Sequence, residues 1–137
     1  MATPPPVPSA DPTSVSAPAT PADIINQRDK CVANVDSQLV TTLALRKPGD
    51  TSLDDTLDDL HDKKVGLMHR ALEDILATAD LDNALKAMKG ATDNMTTVAK
   101  NMVTVTGILT NIAKYLGYAT DAVNAVESVA KPKAAGS

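Results

Sequence analysis

Apolar residues recur every seven positions along the C-terminal half of the chain. Numbered in sevens from Leu81, the first and fourth positions are all apolar, and neither series contains a charged residue. The first positions are Leu81, Met88, Met95, Met102, Leu109, Leu116, Val123 and Ala130, and the fourth are Ala84, Ala91, Val98, Val105, Ile112, Ala119 and Val126. A seven-residue apolar repeat of this length is typical of supercoiled helix packing. It predicts one long helix over about 80–131.

The side of this predicted helix opposite the apolar stripe is narrow. The sixth positions hold only polar residues or glycine, namely Lys86, Asp93, Lys100, Gly107, Lys114, Asp121 and Ser128. The flanking fifth and seventh positions are mostly small or apolar, whereas two-stranded coiled coils carry Glu and Lys there. An apolar stripe this wide favours a helix contacted on both sides, as in a three- or four-helix bundle.

Two further helices are predicted ahead of the long one. The first covers 22–47, because Pro21 suits a first turn and Pro48-Gly49 ends the helix. The second covers 52–79, where apolar residues recur at helical spacing. Near Asp80 the apolar face changes side, so Asp80 is predicted to be the N-cap of the third helix, with Gly90 as the alternative break.

The lengths of these helices raise a question about packing. At about 1.5 Å per residue, the first two span roughly 38 and 42 Å and the third about 75 Å. Either the chain bends at Thr106-Gly107 and forms four helices, or the long helix continues and packs its distal half against another copy, another protein or lipid. The heptad phase continues across Gly107, and a single glycine is a weak helix stop. The pattern therefore favours the continuous helix.

The two ends of the chain differ from the helical region. Residues 1–21 contain seven of the nine prolines, with Ser, Thr and Ala between them, which is typical of a disordered tail. Residues 132–137 are predicted to be a flexible C-terminus. The predicted fold is thus all-α: an elongated helical bundle or coiled coil over 22–131 with a disordered proline-rich N-terminal tail.

Composition and charge argue against a nucleic-acid partner. The net charge is −4, Lys and Arg are scattered, and the chain has no Trp, no Phe and only two Tyr. It therefore lacks a basic stripe for phosphates and aromatic platforms for bases. The first residues show neither the positively charged region nor the apolar region of a signal peptide. We expect a cytoplasmic location, or export by a route that does not use a signal peptide.

Candidate chemistry is sparse, and we expect no enzymatic activity, no cofactor and no metal site. Cys31 is the single cysteine and is most simply a small hydrophobe on a helix. Asp58 and His61 have the three-residue spacing of a helical metal-ligand pair, but di-metal bundles need two such pairs and further carboxylates. The acidic run 54–64 is most simply a solvated helix face.

The leading functional hypothesis is a helical scaffold or interaction protein that forms a homo-oligomer or binds a helical protein. Its interaction stripe is predicted to consist of Met95, Val98, Met102, Val105, Leu109, Ile112, Leu116, Val123 and Val126. The alternative is a membrane-active protein, pore-forming or lipid-binding, that inserts or docks the segment 95–126. Between Asn101 and Thr120 the only charge is Lys114, over a length near that of a membrane-spanning helix.

Overall fold

The computed structural model describes residues 18–131, and this part of the chain contains four α-helices. They are α1 (Pro21–Leu45), α2 (Asp54–Met68), α3 (Leu81–Ala99) and α4 (Val105–Ser128), with one 3₁₀ turn at Leu72–Asp74. The all-α prediction is confirmed. The predicted tail up to residue 17 and the predicted flexible C-terminus at 132–137 lie outside the described residues.

Local signals place the start of α1. Thr20 is the N-cap: its hydroxyl accepts from the Asp23 N–H at 3.2 Å, and the Asp23 carboxylate accepts from the Thr20 N–H at 2.9 Å. This reciprocal pair satisfies two backbone donors that a helix start otherwise leaves without partners. Pro21 occupies the first turn, where its missing N–H costs no hydrogen bond. The predicted boundaries of this helix were correct to within two residues.

The order of the helices around the bundle differs from their order along the chain. α1 and α4 each contact all three other helices, whereas α2 and α3 make no contact with each other within residues 18–131. α2 and α3 therefore lie on one diagonal of the bundle, and α1 and α4 lie close together on the other. α1 and α3 are neighbours that run in the same direction, because Gln27 pairs with Thr92 and Gln38 pairs with Met102.

The diagonal position of α2 and α3 corrects the second predicted helix. α2 ends at Met68, not at Ala79, because the chain must reverse direction and cross the end of the bundle to reach α3. We call residues 69–80 the crossover. A helix continued to residue 79 would carry the chain past the end of the bundle and away from the position of α3.

Backbone and side-chain contacts hold the crossover against the end of α4. The Leu76 N–H donates to the Val129 carbonyl at 2.8 Å, and the Lys131 N–H donates to the Asp74 carbonyl at 2.8 Å. Between these bonds Ile75 forms an antiparallel bridge with Ala130, and its side chain is only 5% exposed. The crossover therefore closes the core at this end of the bundle.

Two arginines complete this end. Arg28 of α1 donates through Nη1 to the carbonyls of Leu67 and Arg70, at 2.9 and 2.6 Å, and so satisfies acceptors at the C-terminus of α2. Arg70 is itself buried and donates to both carboxylate oxygens of Glu127 at 2.8 and 2.6 Å. This two-bond geometry joins the start of the crossover to the last turn of α4.

The third predicted helix is divided in two, so the favoured continuous helix over 80–131 was wrong. Asp80 is the N-cap of α3, as predicted, and Gly90 lies inside that helix. α3 ends at Ala99, and α4 begins after Thr104, whose hydroxyl accepts from the Gly107 N–H at 3.0 Å. Four helices are present, as in the predicted alternative, but the break lies at residues 100–104 and not at Thr106-Gly107, both of which belong to α4.

The turn between α3 and α4 also shifts the buried register by one residue. Before the turn, the first heptad positions Met88, Met95 and Met102 are fully buried. After it, the first-position series is replaced by the fully buried Ile108, Tyr115 and Ala122, each one position ahead of the predicted Leu109, Leu116 and Val123, whereas the fourth-position residue Ala119 stays fully buried. The residues at both sets of positions are apolar, so the seven-residue repeat seems to continue unbroken through the turn when only the sequence is considered.

Glycine 107 is required by the geometry of this turn. A Cβ atom there would collide with the backbone carbonyl oxygen of Asn101 and lie 3.0 Å from the Thr104 hydroxyl, whereas a Cβ on Gly90 or Gly117 would meet no atom within 4 Å. We expect Gly107→Ala to lower the free energy of unfolding by about 1–3 kcal/mol, because the turn must move. Gly90→Ala and Gly117→Ala should raise it by about 0.5–1 kcal/mol.

Urea denaturation followed by circular dichroism measures the three variants side by side. The opposite sign at Gly107 is the result that the turn geometry requires. A Gly107→Ala protein as stable as the Gly90→Ala protein would contradict the described turn.

Candidate interaction site

The predicted interaction stripe lies largely within the chain's own core. Four of its members are at most 7% exposed, and four more are partly buried against the same core, which leaves one exposed. The buried members are Met95, Val98, Met102 and Val126, and the partly buried ones are Val105, Ile112, Leu116 and Val123. Leu109 is 45% exposed. Helices α1, α2 and α3 cover the stripe beyond Gly107, and a role of its residues in binding another copy stays a prediction.

Seven large apolar side chains of the described region are strongly exposed, and they lie toward the two ends of the bundle. At the end with the α3–α4 turn are Val40 (66% exposed), Leu43 (57%), Val103 (60%) and Leu109 (45%), which we call the turn-end set. Toward the crossover are Val65 (52%), Met68 (56%) and Leu72 (53%).

Hydrogen bonding places part of the turn-end set at one level of the bundle. The Gln38 side-chain amide of α1 donates to the Met102 carbonyl at 3.1 Å. Val103 directly follows Met102 in the turn, and Val40 lies half a helical turn beyond Gln38. Exposed apolar groups on α1 and on the α3–α4 turn are therefore close to the same end, although they are far apart in sequence.

A groove of about 580 Å³ runs between α1 and α3. Its lining is rich in amides, hydroxyls and lysines, and includes Lys30, Asn34, Ser37, Gln38, Thr41, Thr92, Thr96 and Lys100. The apolar part of the lining includes Val103 of the turn-end set. The groove therefore extends along α1 toward the exposed apolar end.

The single cysteine is bonded to Thr92, one of the residues that line this groove. Cys31 is fully buried, with its sulfur 2.7 Å from the Thr92 hydroxyl oxygen. The Thr92 hydroxyl donates to the Met88 carbonyl at 2.7 Å, so the thiol is the donor in the Cys31–Thr92 bond. Burial raises the pKa of the Cys31 thiol, although the hydrogen bond to Thr92 opposes the shift. A buried neutral thiol is a poor nucleophile.

A second set of hydrogen bonds joins three helices. The Tyr115 hydroxyl of α4 donates to the Asn34 side-chain oxygen at 2.6 Å, and the Asn34 amide donates to the Thr96 hydroxyl at 2.8 Å. Tyr115 is fully buried, and burial raises the pKa of its phenol above the ordinary value. The phenol is therefore held neutral, which suits a structural hydrogen-bond donor.

Together these hydrogen-bonded side chains form what we call the polar layer, whose bonds hold the helices together. Its members are Gln27, Cys31, Asn34, Gln38, Thr92, Thr96 and Tyr115. Within residues 18–131 every buried side-chain nitrogen or oxygen atom has a hydrogen-bond partner. Among the same residues no three His, Cys, Asp or Glu side chains are grouped so that they could hold a metal ion. Asp58 and His61, weighed as a metal-ligand pair, both lie exposed on α2.

Sequence reasoning missed the polar layer, although a signal for it is present. Gln27, Cys31, Asn34 and Gln38 follow one another at spacings of four, three and four residues along α1. This is the spacing of a core-facing stripe, so polar side chains on it require partners from a neighbouring helix. Thr92 and Thr96, which bond to Gln27 and Asn34, are likewise four residues apart and so lie on one face of α3.

Comparison of the chain with protein-family models, with curated proteins and with solved structures gave no match. In the described part of the chain no helix has the length and apolar character needed to cross a membrane. The segment 95–126, named above as a membrane-docking candidate, is divided between α3, the turn and α4.

Burial of the Cys31 thiol predicts a pH dependence of stability. The pKa of the thiol in the folded chain lies above its ordinary value of 9.0, so above pH 9 the unfolded chain binds fewer protons than the folded chain. The free energy of unfolding must then decrease as pH rises. The thiol contributes up to about 1.4 kcal/mol of this decrease by pH 10, because each pH unit above the unfolded pKa is worth about that much.

Urea denaturation at pH 7.5 and at pH 10 tests the contribution of the thiol. Cys31→Ala should be less stable than the native chain at pH 7.5, because it leaves a small cavity, but should lose less stability on going to pH 10. An equal loss of stability between pH 7.5 and pH 10 in both proteins would show that folding does not raise the pKa of the Cys31 thiol.

Proposed function

We propose that this chain is a non-enzymatic helical scaffold that self-associates through apolar side chains on the surface of its bundle. The observation that carries the proposal is the turn-end set, in which Val40, Leu43, Val103 and Leu109 are each 45–66% exposed. Single exposed apolar residues are normal in monomeric proteins, whereas contiguous exposed apolar patches mark interaction sites. The turn-end set brings four exposed apolar side chains to one end of the bundle.

Leu109 connects the turn-end set with the predicted interaction stripe. It is the stripe residue that the chain's own helices leave exposed, because the register shift after the turn directs Ile108 into the core instead. Self-association would therefore use the surface at the α3–α4 turn. The proposal keeps the predicted homo-oligomer but moves its main contact away from the buried members of the stripe.

The hydrogen bonds of the polar layer fit a structural role, in keeping with a non-enzymatic scaffold. Gln38, Asn34 and Thr92 use their polar atoms in hydrogen bonds between helices. The Cys31 thiol and the Tyr115 phenol have pKa values raised by burial, and both are poorer proton donors to solvent and poorer nucleophiles for that reason. The groups that a buried reaction would need are occupied in fixing the positions of α1, α3 and α4.

Light scattering coupled to size-exclusion chromatography at micromolar concentration tests the proposal. We expect a dimer or larger oligomer for the native chain. The double variant Val40→Asp and Val103→Asp should weaken association by at least about tenfold, because each change places a charge in an apolar contact. Its melting temperature should change little, since both side chains are exposed.

The variant Val65→Asp is the matched control, because Val65 is similarly exposed but lies on α2, away from the turn. A native chain that is monomeric, or an equal effect of the control, would refute association through the turn-end set. Flotation with neutral and anionic vesicles distinguishes the membrane-active alternative: vesicle binding that is lost in the double variant would favour lipid as the partner.

A further inference from the structure

The crossover combines a helical sequence with a non-helical structure. If residues 68–79 were helical, Leu72, Ile75 and Ala79 would lie within about 40° of the direction of Met68 and form one apolar stripe with it. The intervening residues are mostly good helix formers, and the segment contains neither Gly nor Pro. In the structure, only Leu72–Asp74 form a single 3₁₀ turn.

Contacts with the end of the bundle, and not local preference, hold the crossover in this form. Ile75 fills the core, and the backbone bonds to Val129 and Lys131 fix its two sides. Leu72 and Met68 gain little from the arrangement, because they are 53% and 56% exposed. The segment thus has an alternative state, a helix, in which these two side chains share an apolar face with Ile75.

The topology determines what that alternative state would do. The crossover reverses the direction of the chain so that α3 can return along α1 in the same bundle. A helix through residues 69–79 removes the reversal, and α3 would then continue in the direction of α2. The α3–α4 hairpin would leave its own α1–α2 hairpin and expose the apolar faces of both.

A second copy of the chain has the complementary hairpin and can cover those faces. When two bundles are related by a two-fold axis perpendicular to α2, α3 of one copy enters the other bundle in its normal direction. The contacts between hairpins that lie outside the crossover, such as Gln38 with Met102 and Asn34 with Thr96, then form between chains. Exchange of identical elements in this way is a common route to dimers.

We propose that the crossover is a hinge that straightens into a continuation of α2, so that two copies of this chain exchange their α3–α4 hairpins. The straightened segments run antiparallel at the two-fold axis and pack their Met68 and Leu72 side chains together. Ile75 must leave the core of the closed form, so the exchange is favoured only at high protein concentration. This inference goes beyond the proposed association through the turn-end set, because the exchange takes place at the opposite end of the bundle and does not need that surface.

The turn at Ala77-Thr78 provides a substitution that separates the two states. Its closing bond runs from the Ala79 N–H to the Leu76 carbonyl at 3.1 Å, which places Ala77 at the second position of a β-turn. Proline is favoured at that position but strongly disfavoured inside a helix. Ala77→Pro therefore suits the closed form and opposes the straightened one.

The experiment unfolds the protein, refolds it at millimolar concentration and measures the dimer by light scattering. We expect the native chain to form dimers that separate slowly on dilution, because exchange back requires the hairpins to part. Ala77→Pro should weaken dimerisation more than about 1,000-fold, and Ala77→Gly about 30-fold, because each dimer contains two straightened segments. The melting temperature of monomeric Ala77→Pro shows that the closed fold is intact.

The outcomes separate this inference from the proposed function. Loss of the dimer in Ala77→Pro, with the dimer kept in the Val40→Asp and Val103→Asp double variant, supports hairpin exchange and not association through the turn-end set. A dimer that Ala77→Pro leaves unchanged overturns hairpin exchange, and association through the turn-end set then stands if the double variant disrupts that dimer. A native chain that stays monomeric after refolding overturns both.

Discussion

The path between α2 and α3 is the constraint on which the rest of the structure depends. The two helices occupy opposite corners of the bundle, so the chain cannot join them by a short turn between neighbours. It must cross one end, and that crossing requires α2 to stop at Met68 and a side chain to close the core. Ile75 does so, and the buried Arg70 guanidinium joins the crossing chain to Glu127 of α4.

The polar layer fixes how α1 and α3 are aligned along their length. α1 and α3 are parallel neighbours, but no short connection joins them, so loop geometry does not determine their alignment. Hydrogen bonds at Gln27 and Asn34 match α1 to α3, and a third at Gln38 matches α1 to the turn that follows α3. A slip of α1 along α3 would leave the buried Gln27 and Gln38 side chains without partners, which costs more than a slip between purely apolar faces.

Local signals explain the parts of the fold that could be predicted from the sequence. Thr20 with Asp23, and Asp80 with Asn83, are caps that depend on neighbours in the chain, so the starts of α1 and α3 were predicted. The end of α2 depends on the diagonal position of α3, which no local pattern contains. The break before α4 does have a local signal, the Thr104 cap, but the wide apolar stripe made the heptad seem unbroken.

The candidate site was harder to predict for a related reason. Exposure of Val40 or Leu109 depends on which helices stand beside them, and an apolar residue on a helix has the same sequence signal whether a neighbour covers it or not. The register shift after the turn decides that Ile108 is buried and Leu109 is not. A difference of one position cannot be read from a stripe in which both residues are apolar.

The hydrogen bond between Tyr115 and Asn34 has a consequence for spectroscopy. The chain contains no tryptophan and only two tyrosines, so near-ultraviolet absorption and intrinsic fluorescence come from Tyr115 and Tyr118. Tyr115 is fully buried at the contact between α4 and α1, whereas Tyr118 is partly exposed. One of the two intrinsic chromophores therefore lies where the two hairpins meet, and the protein carries its own reporter of whether they are together.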